Sequence, residues 1–202
     1  MTLRRPETGH WREIAVAGHT GDSASARAAL TEDDPVAREL GLGALLRLGL
    51  LTDDDLRAAL IDAAPSVRRR AAMIAGQRPN VSMRALLDDP IATVVEAAAW
   101  ACGEHESVDD DVLAALIQLG VSSTDALVRE ACTAALGAIG DPRGLATILH
   151  GCTDKPAVRR RAVLALAPFD GDEVDAALQA ALGDRDWQVR QAAEDVLRAA
   201  NS

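Results

Sequence analysis

Asp125-Ala126-Leu127-Val128-Arg129-Glu130-Ala131-Cys132-Thr133-Ala134-Ala135-Leu136-Gly137 is the stretch on which the fold turns. Val128 is followed by Arg129, by a small residue four positions on, and by Leu136 and Gly137 eight and nine positions on. The same pattern restarts at Val36, Val67, Val94, Val158 and Val189, so the six starts are separated by 31, 27, 34, 30 and 31 residues. Positions zero, four, seven and eight share one face of an α-helix, so each copy predicts an amphipathic helix with a stripe of small and branched residues. A fixed spacing of this order is the signature of a repeat protein.

Working outward, each copy is the second helix of a pair. First helices are predicted from Asp53 to Leu60, Asp109 to Leu119, Asp141 to Leu149 and Asp172 to Leu182, each opening on acids that suit a helix start. Pro35, Pro65, Pro90 and Pro156 precede the valine positions, with Asp34, Asp62, Asp89, Asp154 and Asp184 nearby, which predicts a tight turn and a helix restart. A helix pair with an apolar stripe on each member cannot bury both alone. Consecutive pairs must therefore stack, which gives an all-α, right-handed α-solenoid of about six helical-hairpin repeats. The whole chain, 1–202, is expected to form one such domain, with repeats over 33–200 and capping helices over 1–31, the first of them from Arg5 to about Gly18. Ala71, Ala98, Ala162 and Ala193 fit places where helices approach closely. Gly76, Gly103 and Gly137 read as helix stops, and Gly41 with Gly43 as an interruption of the first repeat's second helix.

Composition sets the outer bounds. About a fifth of the 202 residues are alanine, aromatics are 2% and there is no tyrosine, so the core is thin, close-packed and helical. Twenty-one Lys plus Arg against 31 Asp plus Glu give a net charge of −10, which argues against broad phosphate neutralisation and hence against sequence-independent nucleic-acid binding. The longest uncharged stretch, Val112 to Thr124, is too short to span a bilayer, and the first residues lack the apolar core of a secretory signal. Cys102, Cys132 and Cys152 are odd in number and without CxxC spacing, as expected of reduced thiols in a cytoplasmic protein.

The D-x-x-V-R pattern of Asp125 to Arg129, followed by a small residue four after the valine and by Ala135-Leu136-Gly137, resembles HEAT repeats, in particular the short bacterial type found in phycobilin lyases, over about residues 33–200. The resemblance implies that the aspartate near each turn and the arginine after each valine form a ladder between repeats. Arg68, Arg129, Arg159 and Arg190 occupy that arginine position, whereas Ala37 and Val95 depart from it. Some HEAT-like proteins are enzymes. Deoxyhypusine hydroxylase uses several His-Glu pairs for two irons; this chain has only His105-Glu106, expected in a loop after Gly103, with Asp109 where a second zinc-binding histidine would stand. Alkylpurine DNA glycosylases of this class use tryptophans and an acid on a basic face, for which Trp100, Trp187, Arg68 to Arg70 and Arg159 to Arg161 are the available residues. No residue beyond the repeats points to a tetrapyrrole.

Catalytic signatures are otherwise missing: there is no G-x-S-x-G elbow and no phosphate loop. His150 and Cys152 lie two apart at a helix end without an orienting acid. The triplets at Asp53 and Asp109 lack the alternation of a calcium loop and read as helix caps. No cofactor or metal is expected. Second helices usually line the concave side of such an array, so columns of residues opposite the stripe read out its surface. Offset six from the valine gives Leu42, Met73, Trp100, Ala134, Leu164 and Asp195; offset five adds Ala72, Ala99, Thr133 and Val163. Offset six lies about 240° around the helix from the valine, so the column either forms a groove or packs between adjacent second helices. On the groove reading, Met73, Trp100 and Leu164 anchor a protein or peptide, and Arg69 and Arg160 at offset two orient its acidic groups. The expected function is a non-enzymatic scaffold or adaptor; the competing class is a DNA-repair or tetrapyrrole-lyase-like protein.

Overall fold

The structure, a computed structural model, describes residues 8–200. The described chain is all-helical, with twelve α-helices, two short 3-10 segments and no strand. The part of the first capping helix expected over residues 5–7 lies outside the described residues. By contacts the chain divides into two compact units, residues 1–74 and 75–202.

In the first unit α1 (Thr8–Thr20) and α2 (Ser23–Ala29) pack on α3 (Pro35–Leu48), followed by α4 (Asp53–Leu60) and α5 (Pro65–Ala75). The caps follow from local chemistry. Asp34 accepts from Val36 N before Pro35 starts α3, and Thr52 with Asp55 forms a reciprocal capping box at α4. Leu42, Leu45, Leu56 and Val67 fill the interior. Gly41 and Gly43 do not interrupt α3. Its helix runs through both, and Gly41 is buried where a β-carbon would stand 3.0 Å from that of Ala29. The glycine lets α2 and α3 touch, which outweighs the helix propensity it forgoes.

The second unit holds α6 (Ala92–Gly103), α7 (Asp110–Ser122), α8 (Ala126–Ile139), α9 (Leu145–Gly151), α10 (Pro156–Ala165), α11 (Asp172–Ala181) and α12 (Trp187–Ala200). Second helices α6, α8, α10 and α12 pack in sequence, while α7, α9 and α11 form the other layer against them. Leu113, Leu116, Leu136, Ile148 and Leu166 are the largest buried side chains here. The 27-residue spacing before Val94 has a structural cause: only a 3-10 turn, Arg84–Asp88, stands where a first helix would. These paired layers are an α-solenoid architecture.

Of the glycines nine after the valine, Gly76 directly follows the last residue of α5 and Gly103 ends α6, as expected of stops, whereas Gly137 does not end its helix. The left-handed helix stops are Gly21, Gly49 and Gly140, with φ of 84°, 70° and 69°. Gly137 lies within α8, where a β-carbon would come 2.6 Å from Ala165 Cα; at Gly103, the last residue of α6, it would come 3.2 Å from Ala135 Cα. Gly18 on α1 stands in the same relation to Ala44 Cα, at 2.9 Å. Each marks a seam where one second helix lies directly on the next, and α1 therefore behaves as a second helix too.

Candidate functional site

The arginines divide into those the fold consumes and those it leaves over. Arg129 grips Asp154 through Nε at 2.6 Å and Nη2 at 2.8 Å, and Arg159 grips Asp184 likewise at 2.8 Å through both. Each also donates Nη1 to a carbonyl at the start of its own turn, Ser123 O or Asp154 O. Repeat one has a rung as well. Arg38 reaches both oxygens of Asp62 at 2.7 Å and the Glu32 carbonyl, so the register there is shifted by one and Ala37, fully buried, takes the valine's place. The departure read at Ala37 is thus a displaced copy. At repeat three the departure is real. Val95 is buried without an arginine, and the next turn carries Ser123, not Asp, where Arg129 takes its carbonyl. At the N-terminal end His10 Nε2 lies 2.8 Å from Glu32, the acid at the rung position, and the Trp11 indole donates to Asp34 at 2.6 Å. Arg129 and Arg159 hold their partners' carboxyls below the usual range; burial pushes Asp62 upward, but Arg38 and the Ala64 amide bring it below that range too.

Six described arginines have no hydrogen bond or ion pair: Arg12, Arg47, Arg69, Arg70, Arg160 and Arg185. Three of them, Arg47, Arg69 and Arg70, line a cleft of about 500 Å³ in the first unit together with Met73, Leu40 and Glu39. Arg69 and Met73, singled out by their column positions, therefore share a surface. Arg160 and Leu164 share another, a hollow of about 230 Å³ in the second unit beside Trp187. Trp100 lines neither. It is 42% exposed, and the far edge of its ring lies on Gly76, where a β-carbon would stand 2.9 Å from Cζ3. Both alternatives for that column therefore meet in one side chain: one side of the indole packs laterally and the other faces water. Met73 is 38% exposed, whereas Leu42 is buried through the register shift. The offset-five residues Ala72, Ala99, Thr133 and Val163 are buried and do not contribute to a groove.

Arg47 was not singled out by column position. The signal for it lay in glycine: a β-carbon at Gly18 would stand 2.7 Å from Arg47 Nη1, and one at Gly43 3.3 Å from Arg70 Nη2. Glycines inside a helix that are not stops imply something lying on them. His105 stands in the loop after α6, as expected, and its Nε2 lies 3.0 Å from the Ala75 carbonyl. Among the described residues no group of His, Cys, Asp and Glu is placed to hold a metal, and no helix is long and apolar enough to cross a membrane. Burial pushes the Cys102 and Cys132 thiols up to about 12 and that of Cys152 to about 11, so none is a ready nucleophile at neutral pH.

A family model described as HEAT repeats matches residues 53–137 and again 113–198. A designed armadillo repeat protein solved in complex with the peptide (KR)4 aligns over 88% of this chain and 98% of its own, at 16% identity and a TM-score of 0.63. The Escherichia coli protein YibA aligns over 97% and 77%, at 19% identity and 0.64. A computationally designed armadillo repeat protein for modular peptide recognition aligns over 93% and 98%, at 15% identity and 0.56. At these identities the likeness is one of fold. No curated protein matched in sequence.

Proposed function

The chain belongs to the HEAT-repeat family, and from that premise we propose that it is a non-catalytic scaffold whose second helices hold a protein or peptide segment. One observation carries the reading: second helices present large apolar side chains to solvent, Met73 in the first unit and Trp100 in the second, each about two fifths exposed. Leu164 beside Arg160 offers a further anchor of the same kind. Designed armadillo repeat proteins of similar fold were made for peptide recognition, which supports the class of ligand without naming it. A cytoplasmic setting, in which its cysteines remain thiols, belongs to the same reading. The DNA-repair alternative loses two of its cations, because Arg159 is spent on Asp184 and Arg68 on the carbonyls of its own turn.

The test is affinity capture from lysate of the source cell by wild type and by a Trp100→Glu, Arg160→Glu double variant, both confirmed as folded by circular dichroism. The expected result is a protein retained by the wild type and lost by the variant. Because the indole covers Gly76, Met73→Glu is run beside it as a second probe with fewer contacts to lose. Equal capture by all three would sink the proposal.

A further inference from the structure

We propose that the cleft lined by α1, α3 and α5 in the first unit binds a short acidic peptide segment that carries an apolar side chain between its carboxylates. This rests on the scaffold reading and names the chemistry of one ligand. The chain carries 31 acids against 21 basic residues, and most of its described arginines have a partner. Yet Arg47, Arg69 and Arg70 converge on one cleft without an ion pair, and Glu39, the single acid in its lining, pairs with none of them. Like charges gathered without a counterion repel one another, and a carboxylate placed among them relieves that repulsion while meeting guanidinium forks that match its geometry.

A β-carbon at Gly18 would stand 2.7 Å from Arg47 Nη1 and one at Gly43 3.3 Å from Arg70 Nη2, so the two guanidinium groups lie close against α1 and α3. The rest of the lining decides between kinds of anion. Met73, Leu40 and Ala15 give the cleft an apolar part that a phosphodiester backbone cannot use. Duplex DNA also carries a charge about every 1.7 Å and would run past this one basic site onto a protein of net charge −10. A short peptide places two or three carboxylates locally and fills the apolar part with one side chain.

The experiment is fluorescence anisotropy on the full chain with three labelled probes: an octapeptide of alternating Glu and Leu, the same peptide with Lys for Glu, and a single-stranded octanucleotide. Each is measured at low salt and near physiological ionic strength, ~0.15 M. The expected result is binding of the Glu peptide alone, weakened roughly tenfold by Arg69→Ala or Arg70→Ala, since each removes a charge-assisted contact, and lost in the triple variant with Arg47→Ala. Arg185→Ala, which removes from the second unit an arginine that makes no ion pair, should leave it within about twofold. Because these arginines have no partner to lose, the variants should melt at or slightly above the wild-type temperature; a marked fall would show a structural role and count against the proposal. Equal binding of Glu and Lys peptides, insensitivity to the arginines, or arginine-dependent binding of the oligonucleotide alone would each overturn it. If the Glu peptide fails while the Trp100-dependent capture above persists, only this inference falls. If the peptide binds and that capture fails, the cleft stands and the Trp100 reading falls.

Discussion

Gly137 shows how much one residue decides in this protein. In isolation a glycine inside α8 costs roughly 1 kcal/mol against alanine, so Gly137→Ala would be a routine stabilising change. In place, the new methyl would stand 2.5 Å from the Ala165 β-carbon and 2.6 Å from its Cα, backbone that cannot swing aside. The expected outcome of Gly137→Ala is a net loss of about 1–3 kcal/mol by overpacking, read from urea denaturation. Gly9→Ala supplies the opposite case. Gly9 lies in α1 with nothing within 4 Å of its β-position, so the same substitution should stabilise by about 0.5–1 kcal/mol. If both changed stability in the same direction, the contact at Gly137 would not be what holds that seam.

At the scale of elements, the ladder ties each second helix to the turn of the next repeat. Arg129 and Asp154 are 12% and 14% exposed and meet through two short bonds, so Arg129→Ala leaves a half-buried carboxylate with one partner fewer and should cost about 2 kcal/mol at pH 7. Asp154 has a folded pKa below its unfolded value, so its contribution is fully present above the unfolded value, about 4, and is lost as pH falls towards the folded one. The gap between wild type and Arg129→Ala is therefore expected to narrow below about pH 4 in a series of denaturation curves. A gap that stayed constant down to pH 2 would mean that the ion pair contributes little. The helices themselves were legible, with their ends less so: the first helix expected from Asp53 to Leu60 spans those residues, because an acidic start and a 3.6-residue apolar period are local signals, whereas the one expected from Asp141 to Leu149 is a 3-10 turn followed by Leu145–Gly151. The register of repeat one was not. Val36 and Ala37 are both acceptable at the buried position, and only the reach of Arg38 to Asp62 separates them.

For the whole molecule, stability in a repeat array is a sum of units and their neighbouring interfaces, so cooperativity has to be measured. One repeat domain over 1–202 is expected to lose its helix content in a single urea transition, with the same midpoint whether followed by circular dichroism or by fluorescence of the tryptophans, Trp11 in the first unit and Trp100 and Trp187 in the second. Two midpoints would mean that residues 1–74 and 75–202 fold separately.

The sequence by itself determined the class of fold, the helix pairs and their spacing, because amphipathic period, capping acids and turn prolines act within a few residues of where they are written; the ladder was what the resemblance to HEAT repeats implied. Only the tertiary structure decided which glycines were stops and which were seams, which arginines were consumed by carboxylates and which were left over, and which side of Trp100 met water. Those outcomes depend on what a neighbouring helix places within 3–4 Å, and the partner in each case comes from another repeat: Ala165 for Gly137, Asp154 for Arg129, Gly76 for Trp100.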